Sequence, residues 1–155
     1  MDAAAMDEAV KLSLDAVEQR TGGPFGAVVV HEGKIVGRGQ NRVTSTNDPT
    51  AHAEVMAIRD ACRALQTFRL DGCQLYASSE PCPLCLAAAY WARVGEIYYA
   101  NTVAEAAAVG FDDAFIYEEL AKAQPDRAMT LRRVDHPRAR DAFERWAAME
   151  DKVPY

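Results

Sequence analysis

Two short stretches concentrate the side chains able to hold a metal and move a proton: His52-Ala53-Glu54 and Pro81-Cys82-Pro83-Leu84-Cys85. One imidazole and two thiols make three ligands of the types that zinc accepts tetrahedrally. Three protein ligands leave the fourth position to water, the pattern of catalytic rather than structural sites. A cysteine pair three residues apart lies on one side of a helical turn, where the positive end of the helix dipole favours thiolates. Zinc lowers the pKa of a bound water from 15.7 to about 7. Glu54, two residues past the imidazole, can meet such a water without binding the metal, take its proton and pass it to a leaving group.

Each part has a plainer account. His52 alone could be a helix-end histidine, and Glu54 alone a first-turn acid that complements the dipole. Cys82 and Cys85 alone could be a redox pair or half of a four-ligand structural site. A redox pair leaves His52 and Glu54 unexplained, and a structural site lacks an evident fourth ligand, because His31, His136, Cys62 and Cys73 stand isolated in the sequence. Cys62, in a helical pattern, and Cys73, at the start of a strand-like one, read as small buried hydrophobes.

The elements that must position these residues follow from periodicity. Residues 3 to 20 carry apolar side chains at helical spacing, and Gly22-Gly23-Pro24 stops them. Phe25 to His31 and Ile35 to Gly39 are β-rich runs joined by Glu32-Gly33-Lys34, a hairpin signal. Asn41 to Pro49 is a polar loop, and a helical pattern runs from about Ala51 to Leu65. Gln74 to Ser79 reads as a strand, Pro83 to Ala92 as a helix and Glu96 to Ala100 as a strand, with helical stretches near 103 to 109, 113 to 123 and 137 to 150. Such alternation predicts a mixed sheet between helical layers, a three-layer α/β/α domain.

The 155 residues suit one domain, 1–155. No apolar run approaches the ~18 to 20 residues of a membrane span. Residues 1 to 15 lack the basic start and apolar block of a secretory signal, so a cytoplasmic protein without a membrane partner is expected. That compartment keeps thiols reduced, which argues against reading the four cysteines as a disulfide framework. A net charge of -6 repels phosphate backbones. Arg132, Arg133, Arg138, Arg140 and Arg145 could form a basic stripe, but Asp135, Asp141 and Glu144 interleave with them. The pattern reads as a mixed solvated face, and no nucleic-acid partner is expected.

The pairing of H-A-E with P-C-P-L-C resembles the cytidine deaminase superfamily and matches the known signature of zinc deaminases. Gly22 to Val28, Asn41, Asn47 to Glu54, Tyr90-Trp91-Ala92-Arg93, Gly110 to Tyr117 and Tyr155 are similar to the bacterial guanine deaminases within it. The resemblance is strongest over residues 22 to 118; Leu84 stands where methionine is common, a volume-conserving exchange. It implies a five-stranded sheet, one zinc per subunit on His52, Cys82 and Cys85, Glu54 and Asp113 as catalytic groups, and a homodimer in which the tail, about 137–155, is swapped onto the partner. It also implies a purine site made by Phe25, Asn41, Ala53, Trp91, Asp113 and Tyr155. In that family the residue matching Asn41 hydrogen-bonds the purine. The one matching Asp113 takes the amino and ring N–H edge, and those matching Phe25 and Trp91 enclose the ring. A carboxylate facing adjacent N–H donors suits guanine, whereas adenine offers a bare N1 acceptor there.

Rival activities share the metal ligands. A tRNA adenosine deaminase would need a basic face for folded RNA, and cytosine, cytidine or guanosine deaminases differ only in what the pocket admits. A non-catalytic zinc-stabilised interaction protein would have no use for Glu54.

Overall fold

Asp2 opens the first helix of the computed structural model, which describes residues 2–155. Its carboxylate accepts from the N–H groups of Ala4 and Ala5 as an N-cap, and α1 runs Ala3–Glu18. β1 (Gly26–His31) and β2 (Lys34–Gln40) pair antiparallel through a two-residue turn at Glu32-Gly33. The φ values there, 49° and 72°, are those of a type I′ hairpin. The stretch read as a wholly polar loop contains a short helix, α2 (Val43–Thr46), before α3 (Ala53–Leu65). β3 (Gln74–Ser79), α4 (Pro83–Ala92) and β4 (Glu96–Asn101) form a parallel crossover unit. The strand order is β2-β1-β3-β4, with β1 antiparallel to both its neighbours.

The sheet therefore has four strands, not the five that the resemblance implied. The four are the β-rich runs visible in the sequence. After β4 the chain turns at once into α5 (Val103–Ala108), fixed by a reciprocal capping box between Thr102 and Glu105. The later stretch with Met129, Leu131 and Val134 forms no ladder, and these side chains are exposed.

Two helical layers cover the sheet, and β1 is buried on both sides, which is why it reads as an unbroken apolar run. Ala27 and Val29, with Leu75 and Ala77, pack on Ala53, Ala57, Ile58 and Ala61 of α3 and on Ala89 and Ala92 of α4. Val28, Val30 and Tyr76 pack on Ala5 and Ala9 of α1. Contact between α3 and β2 is backbone to backbone. A Cβ at Gly39 would overlap Ala53 O and Ala57 N, and one at Gly37 would lie 2.6 Å from Ala61 N. Alanines at every fourth position of α3 and glycines at alternate positions of β2 thus set how deeply the helix seats.

The chain divides into two compact units, Met1–Phe115 and Ile116–Tyr155. The elements above belong to the first. In the second, α6 (Ala114–Ala121), which begins at the boundary, is followed by a 3₁₀ turn at Gln124–Asp126 and by α7 (Asp141–Ala148). No residue of 116–155 is buried, and Leu120, Phe143, Trp146 and Tyr155 are exposed. Arg133 pairs with Asp135 at 2.8 Å and Arg138 with Asp141 at 3.0 Å, a mixed-sign surface as the interleaving suggested. No helix among the described residues is long and apolar enough to cross a membrane.

Candidate metal centre and purine site

Register brings the site residues to one end of the sheet. Gly26 pairs with Gln40, and Ser79 pairs with Asn101. Phe25, Asn41 and the Glu80-to-Cys82 segment therefore leave their strands side by side. Gly26 N–H donates to Ser78 Oγ at 3.0 Å, and Asn101 Nδ2 to Ser78 O at 2.9 Å, which fixes the end of β3 just before the cysteines.

Both metal-ligand stretches sit at helix N-termini. His52 is the N-cap residue of α3 in extended conformation, and its imidazole is not used for capping. The preceding segment is tied down by Asp48 Oδ1, which accepts from Thr50 N–H at 2.8 Å and from Thr50 Oγ1 at 2.7 Å. It is tied also by Ala51 O, which accepts from Arg42 N–H at 2.9 Å. Cys82 is the N-cap residue of α4, and Pro83 occupies the first turn, where a missing N–H costs nothing. Cys85 follows on the same turn and is fully buried.

The three donor atoms form a near-equilateral triangle. His52 Nδ1 lies 3.5 Å from Cys82 Sγ and 3.4 Å from Cys85 Sγ, and the two sulfurs are 3.5 Å apart. Tetrahedral zinc with ordinary bond lengths requires about 3.5 Å between nitrogen and sulfur and about 3.8 Å between sulfurs. The donor set and its spacing thus fit a zinc ion. Among the described residues this is the one group of three or more His, Cys, Asp or Glu side chains that converges in this way. Cys73, taken as isolated, lies with its Sγ 3.6 Å from His31 Nδ1, a pair of potential ligands and no more.

Of the three donors, Cys82 is the one whose surroundings by themselves favour the ligating form. Cys82 Sγ and Cys85 Sγ are hydrogen-bonded at 3.5 Å, and this contact, reinforced by His52, holds the Cys82 thiol down at about 4 against the opposing effect of burial. The same hydrogen bond, with burial, raises the pKa of Cys85. The hydrogen bond to Cys82 raises that of His52. Glu54, on the first turn of α3, is only 6% exposed and shares a hydrogen bond with Cys85. Burial pushes its carboxyl above the usual range, which brings a proton carrier closer to neutrality.

Around this knot lie several of the residues singled out for a planar ligand. Ala53 is wholly buried at the start of α3. Asn41 is 5% exposed. Phe25 meets Phe111 edge to face, with ring centroids 4.9 Å apart. Two residues on, Asp113 is half-buried; burial raises its carboxyl, and the charges of Cys82 and His52 reach it. Its neighbour Asp112 accepts the Ala114 N–H at 2.9 Å, a local turn that leads into α6. Trp91 lies on a largely exposed face of α4 beside Ala87, Tyr90 and Arg93, and Tyr155 ends the second unit, 73% exposed. Sequence reading did not find the contacts of Gly22, Gly23 and Val43 with Asn41. The doubled glycine, besides stopping the helix, was the signal for a close backbone approach.

Residues 1–101 match the family described as cytidine and deoxycytidylate deaminase zinc-binding region. The chain is 47% identical over 150 residues to a guanine deaminase of Bacillus subtilis (strain 168), covering 97% of this chain and 96% of that one. It is 39% identical over 120 residues to a tRNA-specific adenosine deaminase of Agrobacterium fabrum, covering 74% and 79% of the two chains. The X-ray structure of guanine deaminase from Bacillus subtilis superposes with a TM-score of 0.95 at 46% identity, covering 100% of this chain and 99% of that one.

Proposed function

Because the chain belongs to the cytidine and deoxycytidylate deaminase family, we propose that it is a hydrolase that converts guanine and water to xanthine and ammonia. The observation that carries this reading is the convergence of His52 Nδ1, Cys82 Sγ and Cys85 Sγ beside the buried carboxyl of Glu54. Zinc, one per subunit on these three ligands, supplies the Lewis acidity that makes water a nucleophile at neutral pH. Glu54 takes the proton of the attacking water and delivers it to the departing 2-amino group, so that nitrogen leaves as ammonia and the ring keeps the oxygen. Burial raises the pKa of this carboxyl, which makes it a stronger base towards that proton than an exposed one.

Asp113 is assigned to the ring N–H and amino edge. A carboxylate there is satisfied by guanine and left facing a lone pair by adenine. Phe25 provides an aromatic wall for the planar base. Ala53 offers its backbone N–H, one of the four at a helix start without an intrahelical acceptor. Trp91 and Tyr155 complete the enclosure in a homodimer in which the tail, about 137–155, covers the partner's site. What supports that assembly is the apolar surface left exposed on the single chain, including Trp91, Leu120, Phe143 and Tyr155.

The test is an ammonia-release screen of zinc-loaded protein over guanine, guanosine, cytosine, cytidine and an anticodon stem-loop. Guanine should be turned over fastest. Deamination of the stem-loop without that of guanine would assign the chain to the tRNA adenosine activity instead.

A further inference from the structure

The side chain of Asn41 is held by two backbone groups, and both bond to the same atom. Oδ1 accepts from Gly23 N–H at 3.1 Å and from Val43 N–H at 3.2 Å. Two N–H donors converging on one amide atom require that atom to be the oxygen, because the nitrogen presents hydrogens and no lone pair. The orientation of the carboxamide is thereby fixed by chemistry. Its NH2 group is what remains to meet a ligand.

The clamp depends on what Gly22 lacks. A Cβ at residue 22 would overlap Asn41 Oδ1 and would lie 2.6 Å from Asn41 O and 2.8 Å from its carbonyl carbon. Two of these atoms are backbone, held by Thr21 Oγ1, which donates to Asn41 O at 3.2 Å, and by Asn41 N–H, which donates to Phe25 O at 3.0 Å. They cannot swing aside as the end of a long side chain would. The neighbouring Gly23 fits against the Phe25 and Phe111 rings, where a Cβ would stand 3.0 Å from each. Asn41 is therefore locked into the same corner as the aromatic pair, two residues from Asp113.

We propose that Gly22 is a positioning residue that fixes the Asn41 amide as a donor facing the ligand. The site thereby selects purines whose edge there consists of acceptors, as the O6 and N7 edge of guanine does. The inference rests on the guanine reading and on the purine contact that the resemblance implies for Asn41, and adds the glycine that fixes which amide atom makes it. Asp113, an acceptor, and Asn41, held as a donor, then make complementary demands that 2,6-diaminopurine, with an amino group at position 6, does not meet.

The experiment compares guanine with 6-thioguanine and 7-deazaguanine, each of which weakens or removes one acceptor of that edge while keeping the ring N–H and 2-amino groups. In the zinc-loaded wild type, kcat/KM should favour guanine over at least one analogue by about tenfold, the worth of one hydrogen bond to a site group. In Gly22→Ala the preference should fall towards unity, mainly through a higher KM for guanine, with zinc content unchanged. An equal loss on all three substrates, with the preference intact, would mean that Gly22 only supports the fold and would overturn the proposal. If Gly22→Ala does not fold, Asn41→Asp carries the test. One carboxylate oxygen still receives both backbone N–H groups, and the other replaces the donor by an acceptor. Guanine kcat/KM should then drop about 100-fold or more and the preference over 2,6-diaminopurine should shrink or reverse; an unchanged preference for guanine would overturn the fixed-donor assignment. Zinc-loaded wild type that does not deaminate guanine would instead remove the substrate reading itself, an outcome distinct from guanine turnover with unaltered preferences.

Discussion

Gly39→Ala tests whether the depth at which α3 seats on β2 controls the chemistry. The added methyl carbon would lie 2.9 Å from Met56 Cβ and closer still to Ala53 O and Ala57 N, which are backbone atoms of the helix. Carbon atoms in contact sit about 3.5 to 4.0 Å apart, so α3 must retreat by roughly an ångström or the strand must bend. Overpacking of this kind costs about 1 to 3 kcal/mol, or a fall in Tm of about 2 to 12 °C for a chain of this length. His52 and Glu54 flank Ala53, the residue whose carbonyl is struck, so the retreat moves both relative to Cys82 and Cys85 on α4. A misplacement of about 1 Å in a catalytic constellation costs on the order of 10²-fold in rate. The assay is ammonia release from guanine well below the variant's melting point, normalised to folded protein, with thermal unfolding followed by circular dichroism. Wild-type kcat together with a wild-type Tm would refute the reasoning. A lower Tm with unchanged kcat would show that α3 yields at a point that does not carry the site.

Glu54→Gln keeps side-chain volume and removes the proton carrier, so zinc content should persist while kcat falls at least 10²- to 10⁴-fold; unchanged turnover would remove Glu54 from the mechanism. Cys82→Ala should lose metal and activity together, measured by elemental analysis and ammonia release, and full activity in metal-free protein would dismiss the zinc reading. Asp113→Ala should impair guanine turnover strongly by leaving N–H donors unpaired in a dry pocket, at about 1 to 3 kcal/mol per group; normal guanine kinetics would dissociate Asp113 from the ring. For the tail, Glu54→Ala chains refolded together with chains truncated after Asp151 should regain roughly a quarter of wild-type activity from two nearly inactive parents if tails act in trans. Confirmed hybrids without activity would refute the swap, and a fully active truncated protein would show that the tail is not a lid.

By itself the sequence determined the local chemistry. The cysteine pair, the histidine and the acid two residues beyond it are short-range patterns, and a helical turn fixes their relative directions once it forms. β-rich runs and helical periodicity likewise identified all four strands and the helices that cover them, because both are local properties of the chain. A fifth strand, implied by resemblance alone, is not in the sheet. Only the tertiary structure decided how the two ligand stretches meet, since β-strand register and crossover are long-range choices that a run of apolar residues does not encode. It also distinguished Asp112, which accepts the Ala114 N–H, from Asp113, whose half-buried carboxyl feels the charges of Cys82 and His52, although the two are adjacent and chemically identical. The Asn41 clamp is decided at the same level. Gly22 and Gly23 carry no side chain whose chemistry could be read, and their contribution is the space into which another part of the chain folds.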